Sequence, residues 1–380
     1  MRTLFSSSAK QSGFTLIEIM IAMAISVILL NGILQIFQSS KQSYRTTDGI
    51  GRMQENARYA LNELARDIRQ AGFLPCRKTT KVANVLSDTT NGYDFFGSPL
   101  QGFEGNSSLF PNEFNPVGTV APGTRLFASD GIRILRGGSD VYSVESHNPT
   151  SAQFKLNKAH TLDPGDILLV CDAENASIFQ VSNANQANVT IVHNTGSGSP
   201  GNCTKGLGFP VSCTANGNPH TYGAGSQVVS FESLIYYIGP SLSNNEPGRT
   251  APPTNSLYRR QQINSAGNIQ FDAPQELVEG IETMQLVYGE ALDITDPLLT
   301  AAVRYVAAND VTNWNNVVSV RVGLLLHTPE EISTAADSTT YNVVGTIVTD
   351  TSVVAYPSDR RQRYVFSETI RIRNRGEGLI

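Results

Sequence analysis

The chain has 380 residues, of which 40% are hydrophobic and only 16% charged, with 32 glycines and a formal net charge of −5. A charge fraction this low, made up with Gly, Asn, Ser and Thr, suits a secreted, turn-rich β protein better than a helical cytosolic enzyme. Residues 1–81 carry 11 Lys+Arg against 5 Asp+Glu and the remainder 17 against 28, so a basic stalk precedes an acidic body and nucleic acid is not expected as the body's partner.

The first element is "MRTLFSSSAKQSG", which holds Arg2 and Lys10 and no acid. An apolar run follows from Phe14 to about Phe37. As a helix it is roughly 36 Å long, enough to span a bilayer core. The positive-inside rule keeps residues 1–13 cytoplasmic and sends the rest outward. A cleaved secretory signal places its small residues after the apolar core; here the small residue, Gly13, comes before it. Glu18 lies near the start of the apolar run, where a carboxylate is costly unless something neutralises it. Phe14 and Glu18 are i and i+4 neighbours on a helix, so a cation at Phe14 would reach that carboxylate.

Beyond the apolar run the pattern stays helical. Ile50, Met53, Ala57, Ala60 or Leu61, Leu64, Ile68 and Ala71 recur at spacings of three and four, with charged residues between them. No proline lies between Phe14 and Ala71, so one helix of about 58 residues and roughly 87 Å is expected. Asn31-Gly32 is its weakest internal point. Gly72 and Pro75 in "AGFLPC" end it. The C-terminal half of this helix is expected to pack on its own domain. The N-terminal half has no partner within the chain and must find helices of other subunits.

Residues 84–225 are rich in loop signals such as "TTNGYDFFGSPLQGFEGNSS", with short strand candidates "GIRIL", "VYSV", "DILLV", "ASIFQV" and "NVTIV" between them. Longer strands follow in 226–380: "QVVSFESLIYYIG", "SLYRRQQ", "ETMQLVYGE", "VVSVRVGLLLHT" and "RYVFSETIRIR". The expected fold is α+β: a long N-terminal membrane-spanning and amphipathic helix packed on an antiparallel β-sheet body, with an irregular β-rich insertion. The expected divisions are 1–13 as a leader, 14–37 and 38–72 as the two halves of the helix, and 73–380 as the body. Within the body, 84–225 is the elaboration and 226–380 the core sheet.

No catalytic constellation is expected, and no metal or cofactor. "GSGSPG" (196–201) matches GxGxxG, but Pro200 and the lack of a following helix remove the phosphate-binding geometry. The five histidines, His147, His160, His193, His220 and His327, are scattered with no HExxH. "DTTNGYD" (88–94) lacks the later glutamate of a calcium loop and reads as a turn. "RRQRY" (360–364) reads as a solvated turn, and Trp314 as a packing residue. The four cysteines, Cys76, Cys171, Cys203 and Cys213, form no CxxC and suggest disulfides in an oxidising compartment. Three pairings are open. Cys203–Cys213, which closes a short loop, is favoured, with Cys76–Cys171 as the second.

"GFTLIEIMIA" (13–22), behind a short basic leader and ahead of a long apolar run, resembles the type IV pilin and pseudopilin family. The resemblance implies that a prepilin peptidase cuts between Gly13 and Phe14 and methylates the new amine of Phe14. It also implies that Glu18 is an assembly residue, paired with the N-terminal amine of an adjacent subunit. "ARDIRQAGFLPC", "LVEGIETMQLVYGE", "WNNVVSVRVGLLLHT" and "RYVFSETIRIRNR" look like the minor pilins called PilW. That implies a structural and interaction subunit, not an enzyme, which primes pilus assembly and sits at the tip. Its implied partners are other minor pilins, the major pilin, the peptidase, the inner membrane before assembly and, as a further candidate, a large tip adhesin. The alternatives are a J-type minor pseudopilin of type II secretion, whose chains are usually much shorter, and a tip-located surface- or adhesin-binding module using 84–225. The favoured cysteine pairing predicts that mass spectrometry of non-reduced peptides recovers Cys203 linked to Cys213 and Cys76 linked to Cys171; any other linkage contradicts it.

Overall fold

A computed structural model describes residues 13–73, 81–88, 99–106, 110, 114 and 121–373, apart from 197, 249–251, 266–267, 295 and 297–298. It consists of one long N-terminal helix and a large β-rich body, and an α+β arrangement fits. The chain divides into two compact units, Met1–Arg52 and Met53–Ile380.

The helix α1 runs unbroken from Leu16 to Arg69, 54 residues, so it passes through Asn31-Gly32 without interruption. Two polar side chains inside the apolar half bond back to their own turn. Ser26 Oγ donates to the Ala22 carbonyl at 2.7 Å and Asn31 Nδ2 to that of Val27 at 3.1 Å. Such local bonds keep polar groups satisfied where no water is present. The end comes where the sequence places it. Phe73 N–H bonds Gln70 O at 2.8 Å, tightening the last turn, and Gly72 turns the chain at φ +70, a left-handed conformation glycine takes without strain.

The strands are β1 (Lys81–Asn84), β2 (Leu100–Phe103), β3 (Gly131–Asn148), β4 (Gln153–Leu156), β5 (Ile167–Cys171), β6 (Asn175–Gln180), β7 (Asn183–Asn185), β8 (Thr190–Val192), β9 (Gln227–Pro240), β10 (Asn255–Ser265), β11 (Asn268–Phe271), β12 (Gln275–Glu279), β13 (Ile281–Ala291), β14 (Ala302–Val306), β15 (Val317–His327), β16 (Tyr341–Val343), β17 (Thr346–Val348) and β18 (Arg363–Arg371). The larger sheet has the order β1-β6-β5-β9-β3-β4-β8-β7, with β10 on β9 and β2 on β3. Strands from the loop-rich middle thus share a sheet with the long β9. "GIRIL" and "VYSV" are one strand, β3, whose register against β9 shifts between Gly137 and Val141. A second sheet has the order β14-β13-β15-β18, all antiparallel. Its central strand β15 is buried at every position except Arg321, which explains its near-continuous apolar sequence. The hairpin of β16 and β17 lies over it: a Cβ at Gly323 would stand 2.8 Å from a Val344 methyl, so only glycine admits that approach.

Among helix residues of the second unit, Met53, Ala57, Ala60, Leu64, Ala65, Ile68 and Ala71 are buried, the stripe the spacing predicts. Asp67 is buried with them at 0% exposure. Its Oδ1 accepts from Arg136 Nη1 of β3 at 2.8 Å, and its Oδ2 accepts the hydroxyl of Tyr236 on β9. Arg136 Nε also reaches Glu232 of β9 at 3.0 Å, and its Nη1 reaches Gln70 at 2.8 Å. Further bonds join the helix to other parts of the body. Asn56 Nδ2 donates to the Glu279 carbonyl at 3.0 Å, and Arg69 pairs with Glu368 of β18 at 3.0 Å. The amide of Arg373 donates to the Arg69 carbonyl at 3.2 Å, supplying a partner that the helix end lacks.

Removing one member of a buried ion pair leaves its partner uncompensated. Asp67→Ala is therefore expected to lower the unfolding free energy by on the order of 3 kcal/mol, while Asp48→Ala, on an exposed part of the helix, changes it by less than about 0.5 kcal/mol. Urea denaturation of the full chain in micelles measures both, and equal effects of the two would contradict the role of Asp67.

Candidate functional site

The helix begins at Leu16, and Gly13, Phe14 and Thr15 precede it as non-helical, exposed residues. Thr15 and Glu18 close a reciprocal pair of bonds around this start. The amide and the hydroxyl of Thr15 both donate to Glu18 Oε2 at 2.8 Å, and the Glu18 amide donates to Thr15 Oγ1 at 3.3 Å. This is a capping box, in which an N-cap threonine and the acid three residues on satisfy two otherwise orphaned donors. The Glu18 carboxylate also lies on the first turn, where the helix dipole favours negative charge. Part of the cost of an acid in the apolar run is therefore offset within the chain. The signal for this was present in the sequence: Thr15-Leu16-Ile17-Glu18 has the T-x-x-E spacing ahead of an apolar run.

Glu18 shares its side of the helix with Phe14, Ala22 and Ser26, which line one shallow groove with it. The apolar half of α1 is the one described helix long and apolar enough to cross a membrane, and none of that span is buried. Phe14 is 84% exposed. The structure thus places Gly13, Phe14 and Glu18 together at one end of an uncovered apolar helix.

Three of the four cysteines fall among the described residues of the body. Cys203 and Cys213 are disulfide-bonded with Cα atoms 5.0 Å apart, closing the short loop that the sequence favours. Cys171, buried at the end of β5, is also disulfide-bonded. Cys76 lies outside the described residues. Of "DTTNGYD", all but Asp88 lie outside them too. In "GSGSPG" the amide of Gly201 donates to Gln180 Oε1 at 2.9 Å, so this loop folds onto its own sheet. Trp314 packs edge-on against Tyr288 with ring centroids 4.9 Å apart, as a packing residue should.

Two readings of charged residues need correction. "RRQRY" is not a solvated turn: Arg361 and Arg363 are 1% and 4% exposed. The register of β18 puts Arg363 opposite His327, at the end of the sheet where acids from three segments converge. Arg363 pairs with Glu282 of β13 at 2.9 Å, with Asp359 at 2.8 Å and with Asp337 at 3.3 Å, and Arg361 pairs with Asp359 at 2.6 Å. Burial alone would raise the Asp359 carboxyl, but the Arg361 amide and the two guanidiniums more than offset it and hold it below the ordinary range. Nor are the histidines all scattered. His147 and His193 meet at 3.1 Å between Nε2 atoms, and His220 lies edge-on against Tyr222, whose amide bonds His147. Long-range strand pairing brings them together, and no sequence spacing announces it.

The non-helical Gly13 and Phe14 and the capped Glu18 carboxylate at the start of an apolar helix lie where a prepilin-type motif would place them. Residues 8–30 match the family model of the prokaryotic N-terminal methylation motif. Residues 235–374 match that of the type IV pilus-assembly protein W, a span that takes in the whole four-stranded sheet. Together the two matches are consistent with a PilW-type minor pilin and support a minor-pilin role in pilus assembly. No curated protein and no solved structure matches the chain.

The capping box predicts the effect of Thr15→Val, which removes the hydroxyl but keeps the shape. Amide exchange at Leu16 to Ile19 of the full chain in micelles should rise about fivefold, the equivalent of a lost N-cap, while exchange around Ser26 stays constant. Unchanged exchange at the helix start would contradict the cap.

Proposed function

We propose that this chain is a minor pilin that helps to prime type IV pilus assembly and sits at the pilus tip. Before assembly it is anchored in the inner membrane by residues 14–37, with residues 1–13 in the cytoplasm and the body on the far side. The prepilin peptidase hydrolyses the Gly13–Phe14 bond and methylates the amine so freed. The observation that carries this reading is the match to the methylation motif on residues whose geometry suits it. The scissile pair is exposed and non-helical, and Glu18 follows on the first turn.

The mechanism is one of charge neutralisation and packing, not of catalysis. Thr15 uses Glu18 Oε2, which leaves Oε1 for the amine of an adjacent subunit's Phe14. In the low dielectric of packed helices, that pairing favours a single axial register between neighbours. The exposed apolar side chains of α1 exchange lipid for the equivalent helices of other minor pilins and the major pilin. The C-terminal half of α1 is covered by the inner face of the four-stranded sheet, which supplies Glu368 to Arg69. This reading is supported by the burial of the helix stripe and by the apolar alternate residues of β15. The body then presents the remaining strands and loops to neighbouring subunits and to a large tip adhesin. Its acidic balance disfavours nucleic acid as a ligand.

Two measurements test the reading. Glu18→Ala should leave the protein processed and membrane-inserted but reduce its recovery in sheared pili at least tenfold, the loss expected for a charge-assisted hydrogen bond of about 1.5–3 kcal/mol. Normal incorporation of that variant would overturn the proposed pairing. Deletion of the gene should lower the number of surface pili while leaving retraction intact, and an unchanged pilus count would overturn the priming role.

A further inference from the structure

The middle of the chain holds a buried pair of imidazoles that the assembly role does not use. His147 lies on β3 with its ring stacked on Phe154 of β4, centroids 3.9 Å apart and planes 15° from parallel. His193 follows β8, is fully buried, and its backbone amide donates to the Ala152 carbonyl at 2.9 Å. The two Nε2 atoms are 3.1 Å apart, so one must donate and the other accept.

The neighbouring backbone decides which. The amide of Tyr222 donates to His147 Nδ1 at 3.2 Å, so that nitrogen is an acceptor and the proton of His147 is on Nε2. His147 therefore donates to His193 Nε2, and the proton of His193 stands on Nδ1. Both rings are neutral in this arrangement. A further proton has two places to go. On His193 Nε2 it would face the N–H of His147, and on His147 Nδ1 it would face the N–H of Tyr222. Either way two donors oppose each other in a buried site.

The charged groups around the pair offer no compensation. Asp172, from the turn before β6, is paired with His220 at 2.8 Å. Lys205 is bonded to the Thr150 carbonyl at 3.0 Å, and Glu145 on β3 is paired with Lys155 on β4. The hydroxyl of Tyr222 meets Ser177 at 2.6 Å. His220 and Lys205 both add positive potential rather than negative. Burial first, and then His220, push His147 down to about 4; burial, and then His147, push His193 down to about 3.

We propose that the His147–His193 pair is an acid-sensitive clasp that joins β3, the segment after β8 and the stretch 203–222 that includes the Cys203–Cys213 loop, and that its protonation opens this lobe while the four-stranded sheet stays closed. The direction follows from linkage. Both folded values lie below the ordinary histidine value of 6.5. The clasp therefore contributes fully above about pH 6.5 and is lost progressively as pH falls from there through about 4 for His147 and about 3 for His193. The same tautomer argues against a two-histidine metal chelate. That would need both Nε2 lone pairs, and so a proton on His147 Nδ1 against the Tyr222 amide.

Hydrogen exchange of the full chain in micelles at pH 7.5 and 5.0, normalised to unfolded-chain rates at each pH, tests the clasp. Protection of segments 147–155, 190–194 and 205–222 should fall roughly thirtyfold for each histidine that gains a proton on opening, with segment 317–327 unaffected. His147→Gln, which cannot be protonated, should remove one histidine's share of that fall; a variant with the full wild-type fall would overturn the proposal. Ring ¹⁵N spectra of the wild-type chain decide independently of any variant. They should show Nε2–H on His147 and Nδ1–H on His193, with neither ring titrating above about pH 5. A ring titrating near 6.5, or a rise in protection of these segments on adding Zn²⁺ at pH 7.5, would overturn it.

Discussion

Asp67 stands on the apolar stripe of α1 with no exposure to solvent, and its carboxylate is met by Arg136 from β3 and Tyr236 from β9. An ionised group in such a place is tolerated only when its partners surround it. Because Arg136 also bonds Glu232 on β9, one carboxylate fixes a helix turn against two strands at once. Those two strands form the most extensive pairing of the larger sheet, matched from Ile132–Tyr236 to Ser143–Gln227. The C-terminal half of the helix is thus specified by directional bonds as well as by burial of Leu64 and Ile68. The N-terminal half has the opposite character. Ser26, Asn31 and one carboxylate oxygen of Glu18 bond within their own turns and the apolar side chains are exposed, so that one helix is core at one end and uncovered at the other.

A second charged cluster closes the far end of the four-stranded sheet. Arg361 and Arg363 have a near-complete set of partners, with Glu282, Asp337 and Asp359 around them and His327 beneath. His327 accepts from Thr254 through Nε2 and donates through Nδ1 to the Thr328 carbonyl, which suits its neutral form beside two guanidiniums. These groups come from β13, β15, β18 and the segments between β15 and β18. They tie the hairpin of β16 and β17 to the sheet it lies upon. The region that matches the pilus-assembly family is therefore held by its own electrostatic network, separate from the helix bonds of Asp67.

Much of this architecture was legible in the residues. The helix stripe of Met53, Ala57, Leu64 and Ile68 emerged from spacing alone, and the ends of α1 fell within two residues of those expected. The strands β5, β6, β9, β13, β15 and β18 were readable because their Val, Ile, Leu and Tyr content is bounded by turn residues. β14 was not, because "AVRYV" is an exposed edge with little apolar pattern. The charged residues were hardest. Whether Arg363 is solvated depends on what lies opposite it, which is His327 at a separation of 36 positions in the chain. The meeting of His147 and His193 likewise depends on β4 pairing with both β3 and β8. At the N-terminus, Gly13, Phe14 and Glu18 were legible from a local motif, and so was the Thr15 cap, whose spacing sits in the same four residues.

The first backbone hydrogen bond of α1 runs from the Ile19 amide to the Thr15 carbonyl. The junction between Gly13 and Phe14 lies upstream of that bond and of both Thr15 donors. None of the interactions that hold the helix start crosses that junction, so the start of α1 is held from Thr15 onward alone. The Glu18 carboxylate is likewise oriented by Thr15 and not by any residue on the far side of that junction.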